Sequence, residues 1–179
     1  MEFTKAQNIK VKLVLDNTEI EQISSYKYLG AWITEDTDQT KEIRCRIEIA
    51  RSTFNRMRKL FCNRDIYISL RIRIFLCYIF STLLYGFEAW TLEKSNFKNL
   101  EAFEMWCYRR ILKISWMDRK TNEQVLEQLG KQCEVLNSIK IRKLEFLGHI
   151  MRGKKYELLR NIMQGKIKGR RSVGRRKIS

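Results

Sequence analysis

The sequence predicts a mainly α-helical protein: a short N-terminal β-hairpin, a helical bundle behind it, and a flexible basic tail. Three observations carry this prediction. Hydrophobic residues alternate in steps of two up to about residue 33, and recur in steps of three and four from Ile43 onward. The 179 residues include no proline, which suits uninterrupted helices. Positive charge gathers at the C-terminus among glycines. The boundaries that follow are 1–33 for the hairpin, 34–151 for the helical part and 152–179 for the tail.

Lys10 to Leu15 alternates with β-branched Val11 and Val14, Asp16-Asn17 is a turn pair, and Glu19 to Tyr28 alternates through Ile20 and Ile23. Together they read as one hairpin whose second strand ends at Gly30. One face of it, with Ile9, Val11, Leu13 and Leu15, is apolar. A first helix follows, with Ile43, Ile47, Ala50, Phe54, Met57 and Phe61 inward and Arg44, Arg46, Arg51, Arg56, Arg58 and Lys59 on the other faces. A second, about Ser69 to Trp90, is apolar nearly all round and belongs at the centre. A third, about Ser95 to Ile114, turns Phe97, Leu100, Phe103, Trp106 and Ile111 inward. Thr121-Asn122-Glu123-Gln124 has capping-box spacing, so a short helix should run to Leu129 and stop at Gly130. The last helix covers about Val135 to Met151.

Composition limits the function classes. The formal net charge is +16, from 36 Lys and Arg against 20 Asp and Glu, with 44% hydrophobic residues. Such a chain can bury a core, and its charge points to a polyanion or an anionic membrane surface. From Arg152 onward there are eleven basic residues and one acid, a net +10 that leaves +6 on the rest. The longest uncharged apolar stretch, Ile74 to Phe87, falls short of the roughly 20 residues of a membrane span. The N-terminus lacks an apolar secretory segment, so an intracellular, nuclear or cytoplasmic location is expected rather than secretion. Cys45, Cys62, Cys77, Cys107 and Cys133 form no CxxC pair and no Cys/His cluster, so they are expected to be reduced and buried, with no zinc site. Glu35, Asp36 and Asp38 suit a helix N-terminus. Two-metal chemistry needs carboxylates converging from rigid elements, so no catalytic residue, metal ligand or cofactor is expected in this chain.

The most informative run is Ser25-Tyr26-Lys27-Tyr28-Leu29-Gly30. Gly30 lets backbone come close to a ligand, and Tyr26 and Tyr28 can pack against sugars or bases; the plainer reading is a turn with core aromatics. Behind it, in one order, stand Arg109-Arg110 through Trp116, Asp118 and Arg119, then Asn122, then Arg142 through Gly148, His149 and Arg152, then Gly169-Arg170-Arg171 and Gly174-Arg175. Over about residues 10 to 177 this order resembles the region after the palm in the endonuclease-reverse transcriptases of non-LTR (LINE-type) retrotransposons. The chain departs from that pattern at Arg176, where the family tends to have a proline.

The resemblance implies a primer grip at Tyr28, Leu29 and Gly30, a helical thumb that holds primer-template duplex, and a basic segment that engages nucleic acid. It implies a magnesium-dependent polymerase for the parent family. The catalytic palm, fingers and endonuclease are expected to be missing here, leaving no polymerase activity but sequence-nonspecific binding to RNA or DNA phosphates, and no small-molecule substrate. The candidate nucleic-acid-binding residues are Tyr28, Leu29, Gly30, Arg44, Arg51, Arg58, Arg109, Arg110, Arg119, Arg142, Arg152, Arg170, Arg171, Arg175 and Arg176. Arg44, Arg51 and Arg58 lie seven residues apart, near one line along a helix; a merely solvated face is the rival reading. Arg109, Arg110 and Arg119 either clamp phosphate or pair with Asp118 and Glu123. Trp116 reads as a core plug or as a stacking platform. Two other classes remain open: a stand-alone basic helical nucleic-acid-binding protein, and a membrane-surface protein.

Overall fold

A computed structural model describes residues 13–15, 18–35 and 39–166. The predicted class holds: the chain is mainly helical, with short strands ahead of the helices. The single predicted hairpin is instead two two-stranded antiparallel units. β1 (Leu13–Leu15) pairs with β2 (Thr18–Ile20), and β3 (Ser25–Tyr28) pairs with β4 (Ala31–Thr34) in the register Tyr28↔Ala31 to Ser25↔Thr34. Residues Glu21 to Ser24 separate the two. The Leu29-Gly30 pair is a hairpin turn with positive φ at both residues, 48° and 82°, the two-residue geometry whose twist matches that of the strands. The period-2 signal ran through both units, and the sequence carries no turn pair such as Asn-Gly to mark the second. Of the apolar face expected on the first strand, Ile9 and Val11 lie outside the described residues, and Leu15 is exposed.

The predicted first helix divides. α1 (Thr40–Arg56) stops where Met57 leaves helical geometry at φ −95°, ψ 7°, and α2 (Arg58–Phe61) restarts at once. The break has a packing cause. In a straight helix Phe54 and Phe61 stand about 10 Å apart along the axis, yet their rings stack with centroids 4.9 Å apart. The kink brings Phe61 back over Phe54, where Phe75 and Trp106 close on the pair edge-on.

The predicted second helix is also interrupted. α3 (Ile68–Phe75) passes into a π-turn at Leu76–Phe80, then α4 (Ser81–Leu83), a left-handed Gly86 (φ 77°) and a 3₁₀ turn at Phe87–Ala89. A widened turn resets the helical phase; Phe75, Ile79, Phe80, Leu83, Leu84 and Phe87 are all buried as a result, while Tyr78 and Tyr85 face out. The hydroxyls of Ser81 and Thr82 both donate to the Tyr78 carbonyl within the widened segment. As expected, this segment supplies much of the centre.

α5 (Lys94–Leu112) packs on α1 and carries Leu100, Phe103, Cys107, Tyr108 and Ile111 inward. α6 (Asn122–Leu129) has the predicted capping box, Gln124 N–H donating to Thr121 Oγ1 and Thr121 N–H to Gln124 Oε1, and ends at left-handed Gly130. α7 (Val135–Arg152) lies against α5 and the 3₁₀ turn at Phe87. Within the segment read as tail, a 3₁₀ turn and α8 (Glu157–Met163) follow Gly153; sparse apolar content hid this helix, which leaves Leu158 and Ile162 exposed. Residues 167–179, with Arg170, Arg171, Arg175 and Arg176, lie outside the described residues.

One buried carboxylate ties two helices together. Glu104, fully buried on α5, accepts the Tyr108 hydroxyl, the Cys133 thiol and the backbone N–H groups of Glu134 and Val135. It thereby serves the orphan amides that open α7. Burial of the cysteines is narrower than expected: Cys107 is buried, Cys45, Cys62 and Cys133 are partly covered, and Cys77 is exposed.

Candidate functional site

The Tyr28-Leu29-Gly30 turn is bolted to the helices through its carbonyl groups. Arg46 Nη2 donates to the Gly30 carbonyl at 2.7 Å, and the Tyr85 hydroxyl donates to the Leu29 carbonyl at 3.3 Å. Arg46 in turn pairs with Glu42 at 2.7 Å and lies over the Tyr85 ring at 4.5 Å, while Glu42 accepts the Trp32 amide at 2.8 Å. Both members of this pair are buried, Arg46 at 8% exposure, so each charge relies on the other and on these hydrogen bonds. The placement of Arg46 on an outer basic face is therefore corrected. A period of 3.6 puts residues 42 and 46 beside Ile43, Ile47 and Ala50, a signal the sequence did hold. The turn backbone is engaged by protein, and what it offers outward is Tyr28, Tyr26 and Leu29, the last 75% exposed.

A second group forms where α1, α2 and the end of α5 meet. Arg71, buried in α3, donates to the carbonyls of Phe61, Ile66 and Ile111 and so fixes the C-terminal ends of α2 and α5. The Cys62 thiol donates to the Arg110 carbonyl. On the end so fixed, the Arg110 guanidinium lies 3.6 Å from the centre of the Trp106 ring, and Arg51 of α1 lies 5.2 Å from the same ring. Burial, and then the like charge of Arg58 with that of Arg51, lower the Arg110 pKa. Arg51 meets Glu48 at 3.3 Å on an exposed edge, and its Nε is buried with no hydrogen-bond partner. Arg51 and Arg110 thus share one indole, and Arg58 of a third element adds its charge to Arg110, an arrangement with electrostatic cost that an anion would relieve. Arg44 lies exposed one stretch further along α1.

The other predicted residues are spread. Arg109 donates to the Lys120 carbonyl and to Asn122 Oδ1, which fixes the loop after α5, though not through Asp118 or Glu123. Asp118 instead accepts the Ser115 amide. Arg142 holds the Leu84 carbonyl and faces Glu88 at 3.6 Å, so it braces α7 against the α4 end. Arg152 donates to the Gly148 carbonyl at the end of α7, and His149 lies beside the Tyr156 ring. Trp116 is no core plug: at 95% exposure it stands in solvent beside Arg119. Among the described residues no three His, Cys, Asp or Glu side chains come together as a metal site, and no helix is long and apolar enough to cross a membrane.

The chain is 26% identical over 140 residues to a transposon-derived, uncharacterized protein of Caenorhabditis elegans, a match covering 76% of this chain and 50% of that protein. The chain thus spans about half the length of the curated relative it matches. No protein-family model matches, and no solved structure matches significantly.

Proposed function

We propose that these residues are the grip hairpin and thumb-like helices of a retrotransposon reverse transcriptase of the non-LTR type, and that in this chain they hold nucleic acid by its phosphate backbone without reading sequence. The observation that carries the reading is the convergence of Arg51 and Arg110 on Trp106, with the charge of Arg58 acting on Arg110 and the α5 end that carries Arg110 fixed by Arg71. Guanidiniums held this way meet phosphates whatever the bases between them. The match to a transposon-derived protein agrees with the origin proposed. The anchored hairpin agrees with it too, because a turn that presents Tyr28 and Leu29 to a primer end must not move. Arg44 extends the basic line along α1, and Arg119 and Arg152 are outlying contacts. Arg170, Arg171, Arg175 and Arg176 add a cationic strand to the same backbone. The chain as given carries out no polymerisation under this reading, and any magnesium would belong to the parent polymerase.

Fluorescence anisotropy with two labelled duplexes of unrelated sequence tests it, with flotation on anionic vesicles at the same salt as the comparison. Equal binding to both duplexes, stronger than to vesicles, is the expected result. Binding to vesicles that matches or exceeds binding to duplex overturns the reading. Primer extension with magnesium is expected to give no incorporation above that of a mock purification, and incorporation above it would refute the absence of activity.

A further inference from the structure

The loop between α5 and α6 holds an aromatic ring out of the protein on a backbone built to keep it there. Trp116 is 95% and Met117 87% exposed. The loop beneath them is closed by its own bonds: Ser115 Oγ accepts the Met117 amide, Asp118 accepts the Ser115 amide, and Arg119 N–H returns to the Trp116 carbonyl. Arg109 pins the far end at Lys120 and Asn122. Two residues with side chains, Lys113 and Arg119, adopt left-handed φ of 59° and 45° at the two edges of this segment. Such strain persists only where the surroundings over-determine it, and it gathers at sites of use. An indole gains free energy on burial, so one held in water by a rigid loop is available to a partner.

The surroundings indicate which partner. Lys113, Arg119 and Lys120 stand on either side of Trp116 in the chain, and the nearest acid, Asp118, is committed to the Ser115 amide. Between the residues that follow the ring in the chain and α6 opens a cleft of about 590 Å³ lined by Asp118, Arg119, Lys120, Gln124, Glu127 and Gln128, a volume within the range of ligand clefts. It offers the Arg119 guanidinium and the Lys120 ammonium, the latter bonded to Gln128 Oε1 at 3.0 Å, for a phosphate, and the Glu127 carboxylate for the edge of a base. We propose that this loop is a stacking platform for an unpaired nucleotide, with the base on Trp116 and its phosphate between Arg119 and Lys120. The proposal rests on the nucleic-acid reading above and adds single-stranded nucleic acid to what the chain holds. Duplex lies on the Arg51, Arg58 and Arg110 group, and the platform follows directly on the helix that carries Arg110.

The test is anisotropy at one salt concentration with a labelled oligothymidine strand and a labelled duplex of equal length, using the full chain, Trp116→Ala and Trp116→Phe. The ring touches little, so thermal melts of the variants should match the parent. Trp116→Ala is expected to weaken the single strand roughly tenfold, the loss of one stacked base, with duplex affinity unchanged and most single-strand affinity kept by Trp116→Phe. Strand binding should also quench a component of tryptophan emission that disappears in Trp116→Phe. Duplex binding by the parent together with single-strand binding indifferent to Trp116→Ala overturns the platform and leaves the duplex reading intact. A parent that binds neither nucleic acid overturns both. If Trp116→Ala instead abolishes self-association in sedimentation while strand affinity is unchanged, the ring is a protein contact and the proposal fails.

Discussion

Replacing Arg46 by methionine keeps the aliphatic stem in its slot and removes the guanidinium. Three interactions go with it: the 2.7 Å pair with Glu42, the 2.7 Å bond to the Gly30 carbonyl and the stack on Tyr85. Glu42 then remains buried without its charge partner, though it keeps the Trp32 amide. Breaking a buried pair from one side costs about 3–5 kcal/mol, and for a chain of this size that lowers Tm by roughly 10 °C. Thermal and urea unfolding followed by circular dichroism measure it. The double variant Glu42→Leu/Arg46→Met removes the stranded charge, and most of the stability should return. Turn rigidity should not return, because the Gly30 carbonyl has lost its donor in both variants; amide relaxation at Leu29 and Gly30 reads this separately. A single variant within 1 kcal/mol of the parent, or a double variant no more stable than the single, refutes the anchoring role assigned to this pair.

Glu104→Ala leaves the Tyr108 hydroxyl and two α7 amides without an acceptor; a loss of about 4 kcal/mol is expected in urea unfolding, and a loss below 1 kcal/mol would mean that α7 is capped in some other way. Lys113 occupies the left-handed position that closes α5, where the Ile114 and Lys113 amides return to Arg109 and Arg110. Lys113→Gly should therefore raise stability by about 0.5–1 kcal/mol, seen as a higher urea midpoint; a lower midpoint would contradict the strain. Burial pushes the Cys107 thiol up, partly offset by Arg110, and burial with the Glu104 charge pushes the Tyr108 phenol up. The folded protein keeps both protons where the unfolded chain releases them, so this stability is whole below their ordinary values of 9.0 and 10.0 and declines as pH rises beyond them. The slope is about 1.4 kcal/mol per pH unit for each group; unfolding free energies that stay flat from pH 8 to 11 would refute it.

Local rules were written plainly in the sequence. The Thr121 to Gln124 box, the Gly130 stop, the inward row of α5 and the span of α7 depend on neighbours three and four residues away, and they stand where the local pattern places them. What escaped depends on contacts far along the chain. The break at Met57 answers a ring-on-ring contact, and the π-turn at Leu76 arises where an all-round apolar segment gives no single face to follow. Glu104 lies on the inward row between Phe103 and Cys107, but its partners are some 30 residues downstream. Of the candidate site residues, a line of arginines was legible as charge. That Arg51, Arg58 and Arg110 would meet while Arg109 and Arg142 would be spent on backbone carbonyls was not, since an arginine reads the same in either role.

The central claim is that Arg51, Arg58 and Arg110 hold phosphates together, and the salt dependence of duplex affinity tests it most directly. Plotting the logarithm of the binding constant against that of salt concentration for the parent and each single alanine variant gives the number of phosphates neutralised. Each substitution should reduce the magnitude of the slope by about one and weaken unrelated sequences to the same degree. A slope that none of the three substitutions changes, in variants that remain folded, would contradict the claim.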